Sequence, residues 1–164
     1  MKSNSVEPDD SMKFIVDSML GRLAKWLRIL GYDTLYDASM DDEELFFTAH
    51  LEKRILLTRD GELARRMNEK YCTFIYSERV KEQVKQVMAK YNLHPVEQVF
   101  TRCTLCNGLL TEIDRDSVKH RVPDLVYVTV ETFAYCRNCS KIYWPGSHLK
   151  GVKQILDEMH ETDA

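Results

Sequence analysis

Apolar residues along this chain keep two rhythms. Short unbroken runs alternate with stretches in which they recur every third or fourth position. Phe14-Ile15-Val16, within Lys13–Val16, is the first run and reads as a buried strand. Leu20, Leu23, Ala24, Leu27 and Leu30 then follow at helical spacing, and Gly31 stands where a helix would stop. A second strand is expected over residues 34–36. A helix opening at Asp41 or Asp42 follows, with Glu43 and Glu44 in its first turn and Leu45, Phe46, Ala49 and Leu51 inward. Residues 54–58 predict a third strand, 62–70 a helix and 72–76 a fourth strand. Val80–Tyr91 predicts a helix with Val80, Val84, Val87 and Met88 buried. Alternating strands and helices predict an α/β fold, a parallel sheet covered by helices.

The rhythm breaks around residues 95–100, where a cysteine-bearing unit begins. Pro145 and Gly146 part it from a last helix over about residues 147–161, with Leu149, Val152, Leu156 and Met159 on one side. This divides the 164 residues into a polar, disordered lead-in (1–11), an α/β domain (12–95), a cysteine unit (96–146) and a C-terminal helix packing on the core (147–164). A hydrophobic content of 44% is ample for a core. No apolar run is long enough to span a membrane, and the N-terminal stretch is not a signal segment. A cytoplasmic protein with no membrane partner is therefore expected; its oligomeric state is left open.

Charge changes the picture by its distribution. The formal net charge of −3 argues against a general basic nucleic-acid binder. Residues 12–31 nevertheless carry four bases, Lys13, Arg22, Lys25 and Arg28, against Asp17 alone. Residues 32–63 carry nine acids against three bases. Any nucleic-acid contact must be local, with cations screening the acidic part.

Two chemical signatures stand out. Cys103-x-x-Cys106 and Cys136-x-x-Cys139 have zinc-knuckle spacing, with Asn107-Gly108 supplying the left-handed backbone such a turn needs. Four thiolates close a tetrahedral structural zinc site, in a cytoplasm where thiols stay reduced. Residues 109–113 and 125–133, between the pairs, are expected to form a β-hairpin. Cys72, in an apolar strand, reads as a core residue. The second signature is Asp17 and Asp60, each just past an apolar strand, at the edge of an open sheet where ligands bind. Asp42 would bring a third carboxylate to that edge. Converging carboxylates repel unless a cation such as Mg²⁺ or Mn²⁺ lies between them, which suits metal-assisted phosphodiester hydrolysis. Asp41 could replace Asp42, and Asp37 or Glu62 could add a fourth ligand. Arg22, Lys25 and Arg28 form a basic stripe placed for phosphate contact, and Arg59 is a further candidate. Tyr143 and Trp144 could stack on bases, or pack the cysteine unit on its host. Among the histidines His148 is placed for a polar role.

These residues together resemble a known family. The stretch Asp17-x-Met19-Leu20-Gly21-Arg22-Leu23-Ala24-Lys25-Trp26-Leu27-Arg28-x-Leu30-Gly31-Tyr32-Asp33, with Thr58-Arg59-Asp60, both CxxC pairs and Tyr143-Trp144-Pro145-Gly146-Ser147-His148, is similar to the Mut-seven C-terminal RNase domain family over roughly residues 13–160. The resemblance implies a PIN-like nuclease fold with a zinc ribbon. Asp17, Asp42 and Asp60 would bind Mg²⁺ or Mn²⁺, and Arg22, Lys25 and Arg28 would flank the groove. PIN nucleases commonly use four acids; three are matched here. The expected function is a metal-dependent ribonuclease whose ribbon aids binding of RNA or of a protein partner. The alternative is a non-catalytic RNA- or protein-binding adaptor with a vestigial acidic site. A phosphorylated receiver-type domain shares the acids but would need a Lys beyond a later strand, which is not found.

Overall fold

The computed structural model describes residues 12–94 and 99–162. The lead-in 1–11, part of the expected break at 95–100, and residues 163–164 lie outside that set, as do the side chains of His148 and Met159. Four strands, β1 (Lys13–Val16), β2 (Asp33–Leu35), β3 (Ile55–Thr58) and β4 (Cys72–Phe74), form one sheet in the order β2-β1-β3-β4. Every pair is parallel, with Phe14 opposite both Thr34 and Ile55. The helices α1 (Gly21–Ile29), α2 (Asp42–Leu51), α3 (Gly61–Arg66) and α4 (Val80–Tyr91) connect or follow them.

Because side chains alternate along a strand, the sheet feeds two cores. Phe14, Val16 and Leu57 pack with Leu23 and Leu27 of α1, Val84 and Val87 of α4, and Val152 and Ile155 of the last helix, α6 (Ser147–Thr162). Ile15 and Leu56 face the other way, onto Leu45 and Ala49 of α2 and Leu63 of α3. The sheet is thus covered on both faces, as unbroken apolar strands require.

Local chemistry sets the ends. Gly31 takes φ +95°, and the Tyr32 and Gly31 N–H groups return to the Leu27 and Arg28 carbonyls at 2.9 and 3.0 Å, closing α1. Asp41 caps α2, with Glu44 reaching back to its N–H. Leu51, expected inward, is 66% exposed. It lies two residues past Ala49, about 200° around the helix, and so points away. The helix expected to reach residue 70 stops at Arg66, because Asn68 takes the Lys70 N–H on its side chain and the Tyr71 N–H on its carbonyl, making a turn instead.

The cysteine unit holds a three-stranded antiparallel sheet: β5 (Leu110–Ile113), β6 (Phe133–Cys136) and β7 (Ile142–Tyr143). The hairpin expected from residues 125–133 is corrected. Asp124–Thr129 is a short helix, α5, and only Phe133 of that segment pairs with β5. Pro123 leads into the turn and accepts the Tyr127 N–H at 2.9 Å, while the Tyr127 carbonyl takes Arg115 at 2.7 Å. Val126, Tyr127 and Val130 then cover a small core of Val118, Val122, Phe133 and Ile142.

Both margins of the parallel sheet are closed by side chains. On β2, the Thr34 N–H donates to Asn107 Oδ1 (3.0 Å), and the Thr34 carbonyl accepts from Arg28 Nε (2.8 Å). On β4, Gln86 takes the Tyr76 N–H at 3.1 Å and donates to the Phe74 carbonyl at 2.7 Å. Unpaired edges invite association, and here both are blunted. Among the described residues no helix is long and apolar enough to cross a membrane.

Candidate functional site

β1 hands the chain to α1 on one face of the sheet, whereas its neighbour β3 hands it to α3 on the other. The crevice where connections diverge is where open α/β sheets bind ligands. Asp17 is the first residue past β1 and is 5% exposed. Its Oδ1 accepts the Met19 N–H at 2.9 Å; its Oδ2 accepts the Thr58 hydroxyl, and the Arg59 N–H at 3.0 Å. Thr58 Oγ1 in turn accepts the Asp60 N–H at 2.9 Å. Thr58 therefore joins the two aspartates singled out by the sequence. Asp60 is exposed and caps α3, its Oδ1 accepting Glu62 and Leu63 N–H groups at 2.8 and 3.1 Å. Its Oδ2 is uncommitted among the described residues.

Asp42 stands apart from this pair. It is the first residue of α2, and its Oδ2 meets Arg66 Nη1 at 3.4 Å. Asp41 is spent on its capping box, and Asp37 on the N–H and hydroxyl of Ser39. Those two bonds from Ser39 hold the Asp37 carboxyl below the usual range. Glu62 is exposed in the first turn of α3. Among the described residues, no three carboxylates bring oxygens within the 4.8 Å that the cysteine sulfurs achieve.

The basic stripe divides. Arg22 and Lys25 are exposed on α1. Arg28 is 5% exposed, and its Nη1 donates to the Thr104 and Leu105 carbonyls at 3.0 and 3.2 Å. The expectation that it flanks a groove with Arg22 and Lys25 is therefore corrected: its guanidinium bolts the first knuckle to β2. Arg59 is half-buried, donating to the Tyr76 carbonyl at 2.9 Å and lying 3.6 Å from Glu78.

The four cysteines come together as the spacing implies. Cys103 and Cys139 sulfurs are 3.5 Å apart, Cys106 and Cys136 3.4 Å, close to the ~3.8 Å edge of a tetrahedron with ~2.3 Å Zn–S bonds. The two knuckles repeat one geometry. Asn107 and Ser140 take φ +68° and +63°, and each donates its N–H to the carbonyl of the first cysteine of its pair. Asn107, rather than Gly108, supplies the left-handed residue. Gly108 lets the second knuckle approach: a Cβ there would meet Asn138 Nδ2 at 2.6 Å and turn that exposed side chain aside.

Burial pushes the Cys103 thiol up, but hydrogen bonds from the Tyr143 hydroxyl and the Cys106 and Leu105 N–H groups outweigh it and bring it down to about 6. Burial pushes Cys106 up to about 12, helped by its thiol neighbours. Cys103 and Cys106 are thus pushed in opposite directions, and a cation among the sulfurs would favour the thiolate form of both. The residues fit a zinc ion. The Tyr143 hydroxyl, 3.0 Å from Cys103 Sγ and 3.1 Å from the Thr104 N, is itself pushed up to about 12, by burial first and by Cys103, so it stays a donor.

Sequence reasoning missed three residues: Thr58 as the bridge between aspartates, Asn107 as the clasp on β2, and Tyr143 as a donor to sulfur. Thr58 carried a signal, since a hydroxyl two residues before a strand-end acid can reach its neighbours. The other two depend on contacts across about 40 and 73 positions, which no local pattern reveals.

Comparison with protein families matches residues 12–156 to the Mut7-C RNAse domain. Neither the curated proteins nor the solved structures gave a match.

Proposed function

The chain belongs to the Mut7-C RNAse domain family, and from that membership we propose that it hydrolyses RNA phosphodiesters with a divalent cation, Mg²⁺ or Mn²⁺, at the carboxyl edge of its sheet. One observation carries the reading: Asp17 and Asp60 are tied through Thr58 at the topological switch point. The three donors on Asp17 fix its carboxylate, leaving one lone pair on Oδ1. Asp60 contributes its uncommitted Oδ2. Asp42 is the third acid of the proposal, reached by releasing Arg66, an exposed pair worth ~0–1 kcal/mol. When bound, the cation polarises a phosphate oxygen and lowers the pKa of an attacking water. Arg22 and Lys25 offer exposed charges to the flanking phosphates. Arg59 adds a guanidinium whose partner Glu78 is 90% exposed and readily exchanged. The sheet, residues 12–95, would be the catalytic body, and the zinc-holding ribbon, 96–146, the part that steadies RNA or a protein partner.

The test is cleavage of a labelled mixed RNA panel with Mn²⁺, with Mg²⁺ or with neither. Metal is omitted rather than chelated, because a chelator would also empty the cysteine site. Asp17→Asn is expected to lose roughly 100-fold or more of the activity. It also sets an amide N–H₂ against donors and costs about 1–3 kcal/mol of stability. Asp60→Asn is the cleaner companion, since Asn caps a helix as well as Asp. Full cleavage by both variants would overturn the reading.

A non-catalytic adaptor has one observation in its favour: Asp17, Asp42 and Asp60 each already make a structural bond. RNA binding with no product at any metal concentration would decide for it.

A further inference from the structure

A cavity of about 640 Å³ opens between α1, the ribbon and the first turn of α6, and neither Asp17 nor Asp60 lines it. Its walls include Lys25, Phe100, Arg102, Lys141, Trp144 and Leu149, and among the described residues Glu112 is the one acid lining it. The described lining of this net-negative chain thus carries three bases against one acid, Lys25 and Lys141 exposed and Arg102 donating to the Gly31 and Asn107 carbonyls. Its two exposed aromatics, Phe100 and Trp144, are each 38% accessible. Trp144 is braced edge-on by Phe133 at 6.4 Å, and Lys141 Nζ lies 4.9 Å from the Tyr143 ring.

Phe100 is the unusual member. It takes φ +62°, held there by an N–H bond to the Ile29 carbonyl at 2.8 Å. A bulky side chain in the left-handed region costs about 1–2 kcal/mol. Such strain persists where the surroundings impose it, and it clusters at binding sites. Here it presents a ring that its own core does not bury.

Aromatic faces within a cationic groove are what an unpaired nucleobase and its phosphates require. The approach is marked out as well. Arg22 and Lys25 lie one turn apart on the exposed side of α1. Lys25 is eight residues past Asp17, on the order of 12 Å at helical rise, or about three to four stacked nucleotides.

We propose that this groove is a nucleobase subsite, holding an unpaired base of single-stranded RNA against Phe100 and Trp144 three or four nucleotides from the acidic edge. The identity of the strand rests on the ribonuclease reading. The groove thereby gives the enzyme a preference for unpaired RNA that the acidic edge alone does not supply.

The probe is a fluorescein-labelled eight-nucleotide single-stranded RNA, titrated by anisotropy against the zinc-loaded full chain without Mg²⁺ or Mn²⁺. Trp144→Ala is expected to bind about tenfold more weakly, and Trp144→Phe to recover most of the loss. The same RNA made abasic throughout should bind wild type and Trp144→Ala alike. If Trp144→Ala loses zinc, the exposed Lys25→Ala and Lys141→Ala carry the test. Each should lower the slope of log affinity against log salt by about 0.7. Unchanged affinity in zinc-loaded Trp144→Ala, or unchanged slopes in both lysine variants, would overturn the subsite and leave the groove to a protein segment. Cleavage by wild type would still stand in that case. A wild-type protein that neither binds nor cuts RNA would remove the ribonuclease reading and the subsite together.

Discussion

A carboxylate at a strand end can do only what its lone pairs leave it free to do, and the aspartates of this chain divide on that basis. Asp17 accepts three bonds, Asp60 two from the turn it caps, and Asp33 two from side chains of other elements. Asp33 Oδ1 takes Arg54 Nη1 at 2.6 Å and Asn107 Nδ2 at 2.8 Å. Burial pushes its carboxyl up, but those bonds and the Arg54 and Arg102 charges outweigh it and hold it below the usual range. A depressed folded value means that the stabilisation is complete above the unfolded carboxylate pKa of about 3.9 and is lost as pH falls through the folded value. Asp33→Asn is therefore expected to be less stable than wild type at neutral pH, with the gap closing below about pH 4. Urea midpoints across pH 2–7 would check this, and a gap that widens in acid would refute it.

Elements rather than residues decide how the ribbon meets the sheet, and the meeting point is a strand of three residues. β2 offers Thr34 to Arg28 from α1 and to Asn107 from the first knuckle. Arg28→Ala would strip three carbonyls of their donor, at a cost on the order of 3 kcal/mol, and should speed zinc loss to a colorimetric chelator. Arg28→Lys should rescue little, because one ammonium lacks the planar fork that spans three acceptors. Here the limits of the sequence are physical. The faces of α1 and α4 were legible because helical periodicity is local, and the cysteine set because two tight turns fix their own spacing. Arg28 was not. Each step of three residues turns about 60° back around a helix, so Arg28 lies about 120° from Arg22, at the margin where another element packs. Residues 125–129 misled for a similar reason: a β-branched run reads as strand until a proline and a distant arginine make it a turn of helix.

Across the whole molecule the strand order matters more than any motif. Asp17 and Asp60 were legible as strand-end acids, but their union through Thr58 exists because β3 lies beside β1, whereas Asp42, the first residue of α2, meets Arg66 instead. The same integration would make zinc, held by the four cysteines as proposed, a stability element for sheet and ribbon together. Stripping zinc should lower the melting temperature of the sheet as well as the ribbon, and hydrogen exchange should report it first at the Thr34 amide, whose acceptor is Asn107. A Thr34 amide that stays protected after complete zinc removal would show that the two parts stand independently.

The closed margins of the sheet have a consequence for the cell. Gln86 guards β4 from within the same body, whereas on β2 only the Thr34 carbonyl is guarded that way, by Arg28, and the Thr34 N–H depends on Asn107 of the cysteine knuckle. With zinc held by the four cysteines, as proposed, its loss would loosen Asn107 and leave the Thr34 N–H on that flank open to strand addition. Newly made chains would then be cleared by proteases or would seed aggregates, rather than persisting folded without the metal. Metal supply would set how many copies survive, a form of control exerted through proteostasis and not through turnover.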